Sequence, residues 1–417
     1  MKKARRPLSA GFFRLDRQRS GGYNGAKMTP AQAGRPKEVT TMMHIGLLGF
    51  GVVGGGVWTL CAPRDDLNVK RVLLRSPKEG LPEEVVTFNA DDILNDPEID
   101  TVVEVMGGLH PAYEYVSAAL ARGKNVVTAN KALIAAYYTE LTALAREKGA
   151  AVGGGIPWLT NLERVKRLDT VCAVGGIMNG TTNFIMDAMH KAPVDFPAIL
   201  KEAQDLGYAE ADPSADIDGD DIRRKLCISA NIAFDAALEE TAIPTFGIRT
   251  VTAADIAAFQ SHGFACKLLA RAESTDSGVC AYVEPTLVDA GDLEAAVPAN
   301  FNLITYEGEN IGRQSFYGQG AGQMPTAANV MQDCLSILEG CLGFYAQQAV
   351  PAALDGSGEA HPYYVRTSAP DAFLRGRTAE TWDNGAVVTG AVDVYEMLAW
   401  AKAQREKDPG VFIAGIR

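Results

Sequence analysis

An apolar run, Ile45-Gly46-Leu47-Leu48, leads directly into Gly49-Phe50-Gly51-Val52-Val53-Gly54, and no other junction in the 417 residues restricts the fold as tightly. The spacing is that of a dinucleotide-binding turn. Its first glycine permits a tight turn, the second lets a pyrophosphate approach the backbone, and the third lets helix and strand pack closely. The N–H groups of a helix starting near Val52 would then face the phosphates, so Gly49, Gly51, Val52, Val53 and Gly54 are candidate cofactor contacts. Glycine-rich turns without a nucleotide are common, and the context decides: a short strand precedes this one, a helical stretch to about Leu60 follows, and a second strand is expected at 69–74.

The end of that second strand bears on the cofactor. A carboxylate there would hydrogen-bond the adenosine ribose and repel a 2′-phosphate, whereas cations would pair with it. The chain has Arg75-Ser76-Pro77-Lys78 and no acid before Glu79. Arg75 and Lys78 therefore favour NADP(H), with NAD(H) possible, against the plainer reading of a strand capped in solvent. Strand and helix signals keep alternating, with a buried strand at 101–105, a helix at about 111–122 and a strand at 125–128. The fold class implied is α/β, with a doubly wound, parallel Rossmann-type sheet. Gly107 and Lys131 fall just past strand C-termini, where such sheets bind ligands.

From about Pro157 the pattern changes to strands near 171–177, 281–287 and 304–307, separated by helices around 197–204, 221–233 and 253–262. This reads as a second, α+β domain. Residues 316–343 contain another glycine-rich turn followed by a long apolar helix, and the remainder forms a small α+β tail. The expected division is a basic leader at 1–42, a nucleotide-binding domain at 43–157 completed by about 318–350, a catalytic and dimerisation domain at 158–317, and a tail at 351–417.

With 47% apolar residues the chain can bury large cores, and no apolar run approaches the roughly 20 residues that cross a bilayer. A net charge of −12 argues against nucleic acid. Residues 1–42 hold ten Lys or Arg against Asp16 and Glu38, so the leader carries +8 and the rest −20. It is expected to be a disordered extension, or an upstream start read ahead of a domain that begins near Met43, with a targeting role as the alternative. Seven scattered cysteines without a C-x-x-C pair suggest reduced thiols of a cytoplasmic protein.

The stretch with the most chemistry is the run from Gly207 to Asp221, in which Glu210, Asp212, Asp216, Asp218, Asp220 and Asp221 crowd together ahead of a helix carrying Lys225. Two readings stand: a solvated acidic loop, or a pocket that holds an amine beside a proton donor. Asp221 and Lys225 share a helix face at i and i+4, which fits either a surface ion pair or an acid/base pair.

Taken in order, these segments resemble the homoserine dehydrogenase family from about Met43 to Gln347. The carriers are Gly49–Gly54, Val103-Glu104-Val105-Met106-Gly107-Gly108, Val126-Val127-Thr128-Ala129-Asn130-Lys131, Gly153-Gly154-Gly155-Ile156-Pro157, Gly176-Ile177-Met178-Asn179-Gly180-Thr181-Thr182-Asn183-Phe184, the acidic run through Lys225, Lys267-Leu268-Leu269-Ala270, and Phe316-Tyr317-Gly318-Gln319-Gly320-Ala321-Gly322. The resemblance implies reversible hydride transfer between L-homoserine and L-aspartate 4-semialdehyde by a homodimeric, NADP-preferring enzyme of threonine, methionine and isoleucine biosynthesis. It implies Lys225, Lys131 and Asp221 as catalytic residues, Glu210, Asp216, Thr181 and Tyr208 at the substrate, and Gly320 at the cofactor. A monovalent cation on the carbonyls of Val152, Gly154 and Ile156 is also implied. Sodium is doubtful, because Gly149 stands where the family carries a glutamate. The tail reads as a shortened ACT-like regulatory module, and its removal after about Gly356 is expected to leave the catalytic residues in place.

Overall fold

The computed structural model describes residues 42–148, 152–153, 157–340, 350–356 and 359–417. Six strands form the first sheet: β1 (Met43–Leu48), β2 (Leu67–Leu73), β3 (Val86–Thr87), β4 (Thr101–Glu104), β5 (Asn125–Thr128) and β6 (Val152–Gly153). They run parallel in the order β3-β2-β1-β4-β5-β6. The order reverses between β1 and β4, which opens a crevice beyond their C-terminal ends.

Period-2 alternation sends the side chains of each central strand to both faces. Ile45, Leu47, Val103 and Val127 enter one core, where they meet Ala327, Val330 and Met331 of the helix Gln323–Leu338. Leu48, Val102 and Val126 enter the other, against Val116 and Leu120 of Ala112–Ala121 and Leu133 and Leu141 of Lys131–Lys148. The helix Gln323–Leu338 thus returns from far along the chain to cover the nucleotide-binding sheet. Gly56 makes this possible, since a Cβ there would stand 2.7 Å from that of Ala327.

The second sheet has nine strands. Its first five are β7 (Val171–Ile177), β8 (Phe264–Ser274), β9 (Val279–Asp289), β10 (Phe301–Gly308) and β11 (Gly312–Gln319). Neither β8 nor β11 is among the strands expected from sequence. β8 carries a buried lysine in mid-strand, and β11 is a largely exposed edge without an apolar stripe. The helices Gly180–Lys191, Asp220–Phe234 and Ala253–Ser261 pack on this sheet.

The C-terminal residues add a short pair, β12 (Ala360–His361) with β16 (Val392–Asp393), and four more strands: β13 (Tyr363–Arg366), β14 (Thr378–Thr381), β15 (Val387–Thr389) and β17 (Phe412–Ile416). These four continue the second sheet in the order β11-β10-β7-β8-β9-β17-β13-β15-β14, with β17 parallel to β9. Tyr363, Tyr364 and Phe412 are fully buried in the same core as Phe246 and Phe259. Two buried carboxylates of the second sheet and its helices also find their partners in the tail. Glu284 is bound by His361 at 2.8 Å and by the Tyr363 hydroxyl at 2.9 Å, and Asp255 by Tyr364 at 2.6 Å and Arg366 at 2.7 Å. The tail therefore forms one end of the sheet, joined to β9 through β17, whose residues are buried except Ile416. Among the described residues no helix is long and apolar enough to cross a membrane, and the described cysteines are unpaired.

Candidate active site

Each glycine of the first turn has a distinct physical reason. Gly49 has φ +99°, in the region L side chains avoid. A Cβ on Gly54 would lie 2.4 Å from the Gly49 carbonyl oxygen, whereas one on Gly51 would meet nothing within 4 Å. Gly51 precedes the helix Val52–Cys61, whose first N–H groups receive no side-chain cap. This is an open cradle at a helix N-terminus, and it fits a pyrophosphate. Across the switch point, Gly107 has φ +74° and also faces open space. Gly320 lies against Asn302, whose amide occupies the volume a Cβ would need at 1.9 Å.

Beyond β2, Arg75 is exposed and makes no ion pair among the described residues. Lys78 donates to the Phe50 carbonyl at 2.6 Å and lies 5.5 Å from the Phe50 ring centroid, so its ammonium is anchored to the glycine turn itself.

The acidic run separates into two sets. Three of its carboxylates are structural: Asp212 accepts from the Ser214 N–H at 3.1 Å, Asp218 pairs with Arg249 at 2.6 Å, and Asp220 with Arg223 at 2.8 Å. Asp216 and Asp221 are drawn together by Asn179. This residue caps the helix Gly180–Lys191, its Oδ1 accepting from the Thr182 N–H at 2.8 Å. With the oxygen so fixed, its Nδ2 donates to Asp216 at 2.7 Å and to Asp221 at 2.9 Å. Asp221 in turn pairs with Lys225 at 2.6 Å, and Lys225 also donates to the Met178 carbonyl at 2.6 Å.

The charges follow from these contacts. Burial alone would raise the Asp221 carboxyl, but the ammonium groups of Lys225 and Lys131, with hydrogen bonds from Lys225 and Asn179, hold it at about 2. Asp216 is raised, by burial first and by the Asp221 charge, against the hydrogen bond from Asn179 and the Lys225 charge. Lys131, at the start of the helix after β5, is exposed as a residue, yet the surrounding protein desolvates its ammonium. That desolvation, and then the Lys225 charge, lower its pKa, with Asp221 and Asp216 opposing. Lys131 belongs to the first sheet's helices and Lys225 to the second's, so the site is assembled from both.

The other expected residues are placed as follows. The Thr181 hydroxyl donates to the Tyr208 carbonyl at 2.6 Å, holding the turn that leads to Glu210. The Tyr208 ring packs edge-on against Phe184 with centroids 5.2 Å apart. Glu210 is exposed, and its carboxylate pairs with no described residue. Val152 lies on β6, paired with Val126, while Gly149, Gly154 and Ile156 lie outside the described residues. Among the described residues no group of three or more His, Cys, Asp or Glu could hold a metal. Asn179 and the Met178 carbonyl were not singled out from sequence, although an Asn immediately before a helix is itself a capping signal.

The chain was compared with known proteins. Residues 157–335 match the family model described as homoserine dehydrogenase, and residues 49–153 that of the homoserine dehydrogenase NAD binding domain. The homoserine dehydrogenase of Bacillus subtilis is 38% identical over 316 residues, covering 71% of this chain and 73% of its own. That of Corynebacterium glutamicum is 42% identical over 312 residues, covering 69% and 70%. The crystal structure of a homoserine dehydrogenase from Thiobacillus denitrificans superposes with a TM-score of 0.80 at 31% identity, covering 90% of this chain and 98% of that one.

Proposed function

This chain belongs to the homoserine dehydrogenase family, and from that premise we propose how its residues carry out reversible hydride transfer between L-homoserine and L-aspartate 4-semialdehyde. The observation that carries the reading is the packing of the helix Lys131–Lys148, which begins at the end of the nucleotide-binding sheet, against Asp220–Phe234, which brings the Lys131 charge to bear on the Asp221–Lys225 pair. The bound nicotinamide supplies the hydride acceptor or donor. Everything else is the work of side chains.

An ammonium has three N–H donors. Those of Lys225 toward Asp221 and Met178 are engaged, which leaves the third for the substrate hydroxyl. In the reductive direction it protonates the oxygen as alkoxide character develops, and in the oxidative direction the amine receives the proton. Asp221, kept ionised, holds Lys225 in place. Lys131, its ammonium made easier to neutralise by desolvation and the Lys225 charge, completes the proton-handling pair. Glu210 and Asp216 offer negative charge to the substrate ammonium, and Thr181 and Tyr208 hold the loop that presents Glu210.

NADP(H) is the preferred coenzyme, because Arg75 and the anchored Lys78 stand where a carboxylate would select NAD(H). The enzyme serves threonine, methionine and isoleucine synthesis as a cytoplasmic homodimer, with residues 43–157 and 318–350 binding nucleotide and 158–317 binding substrate. The test is the initial rate of homoserine oxidation with each coenzyme. Turnover is expected, faster with NADP; absence of turnover with both would defeat the reading.

A further inference from the structure

Lys267 is buried in the middle of β8, and nothing in the reaction described above uses it. It makes no ion pair with a carboxylate among the described residues. Its ammonium donates to two neutral acceptors, the Asn183 Oδ1 at 3.0 Å and the Val297 carbonyl at 2.9 Å. A charged lysine held this way is costly to bury, and burial lowers it to about 8, so the fold must use the contact for something.

Asn183 shows what that is. With its oxygen committed to Lys267, its amide nitrogen must donate in the opposite direction. It does so to the carbonyls of Val297 at 3.2 Å, Ala299 at 2.8 Å and Phe301 at 3.2 Å. The loop leading into β10 is thereby drawn onto the helix Gly180–Lys191. Two further features mark how tightly. Ala299 takes φ +47°, rare for a residue with a Cβ, and Gly180 comes so close to the Asn300 carbonyl that a Cβ would stand 2.6 Å from its oxygen. The Ala299 N–H is also held by Asp187 at 2.7 Å. Asn183 lies one turn beyond Asn179, and its N–H closes that turn onto the Asn179 carbonyl at 3.3 Å. Asn179 is the residue that bridges Asp216 and Asp221.

We propose that Lys267 and Asn183 are positioning residues: they clamp the 297–301 loop against the first turns of the helix Gly180–Lys191, and so fix the Asn179 amide on the two carboxylates of the site. Neither touches substrate or coenzyme. The proposal rests on the homoserine dehydrogenase reading. Wild-type turnover tests that reading, and the ratio of variant to wild type tests the clamp.

In the full chain, Lys267→Met removes both donors while keeping an unbranched side chain of similar length. A small displacement of catalytic groups can cost up to about 100-fold, so kcat is expected to fall about 10- to 100-fold. The homoserine KM and the coenzyme Kd, read by nicotinamide fluorescence, should stay within about 3-fold, because the contacts removed act on geometry and not on uniform binding. Lys267→Arg, which keeps donors toward both acceptors, should recover most of the loss. If Lys267→Met fails to fold, Asn183→Asp decides: it keeps an acceptor for Lys267 but turns a carboxylate toward three carbonyls, and the same kcat-selective loss is expected. Wild-type kcat in a folded Lys267→Met or Asn183→Asp variant would overturn the proposal. So would equal losses of kcat and coenzyme affinity.

Discussion

At the scale of single residues, the site depends on which donors are already committed. With two of the Lys225 N–H groups engaged by Asp221 and Met178, Lys225→Ala should lower kcat by about 10²–10⁴-fold while leaving coenzyme affinity nearly intact. Near wild-type turnover would return that lysine to the role of an ion-pair partner. Glu210→Ala should act differently, raising the homoserine KM more than it lowers kcat, because it removes a partner for the substrate ammonium. Steady-state kinetics of the two variants separates these effects. Lys225 and Glu210 are legible in the sequence because they sit in one short charged run. Asn179 is not, because what makes it matter lies 37 and 42 residues away at Asp216 and Asp221. Nor could composition reveal that Asp212, Asp218 and Asp220 serve turns and surface pairs while Asp216 and Asp221 share the Asn179 amide. Lys267 also carries a pH dependence. Its pKa is about 8 in the folded chain against an ordinary 10.5, so between these values the unfolded state binds more protons and stability rises with pH. The destabilisation is full below pH 8 and is relieved above it. From pH 8 to 10 the unfolding free energy of the wild type should gain roughly 2 kcal/mol on that of Lys267→Met; denaturant titrations showing a constant difference would contradict this.

At the scale of elements, the glycine turn was readable because all of its requirements are local: a strand, three glycines and a helix within one short segment. The same holds for the buried strands β4, β5 and β7, whose apolar runs are continuous. The return of the helix Gln323–Leu338 to the first sheet is a contact between distant segments, and the chain shows it only as a glycine-rich turn before an apolar helix. The tail was the least legible element. Its short strands suggest a separate module, yet its residues complete the sheet and neutralise or bind Glu284 and Asp255 from outside their own elements. The expectation for truncation changes accordingly. Ending the chain after Gly356 would bare the β9 edge, uncover Phe246 and Phe259, and leave two carboxylates without His361, Tyr363, Tyr364 and Arg366. Removing one partner of a buried charge alone costs about 3–5 kcal/mol, comparable with the whole stability of many domains. The truncated chain is expected to be insoluble or to lack a cooperative melt, and a soluble, active fragment would contradict this.

At the scale of the whole molecule, the two sheets have largely distinct cores that share the helix Lys131–Lys148, and among the described residues it is Lys131 of that helix whose charge acts on Asp216 and Asp221 of the second. Coenzyme choice should therefore be alterable without disturbing the acid/base groups. Arg75→Asp replaces a charge-assisted contact to a 2′-phosphate, a contact of about 1.5–3 kcal/mol, with repulsion. The ratio of kcat/KM for NADP to that for NAD should fall by about 10-fold or more, with the maximal rate on homoserine nearly unchanged. An unaltered ratio would remove Arg75 from the coenzyme site. The position of β17 also bears on how the molecule comes to exist. β9 ends at Asp289 and its parallel neighbour begins at Phe412, about 120 residues later in the chain. At about 5–20 residues per second on the ribosome, the edge of β9 waits roughly 6–25 s for its partner. Through that interval a nascent chain presents the far edge of β9, paired with β8 on one side only and carrying Glu284 without its partners His361 and Tyr363, so its yield in a cell depends on what shields that edge during translation.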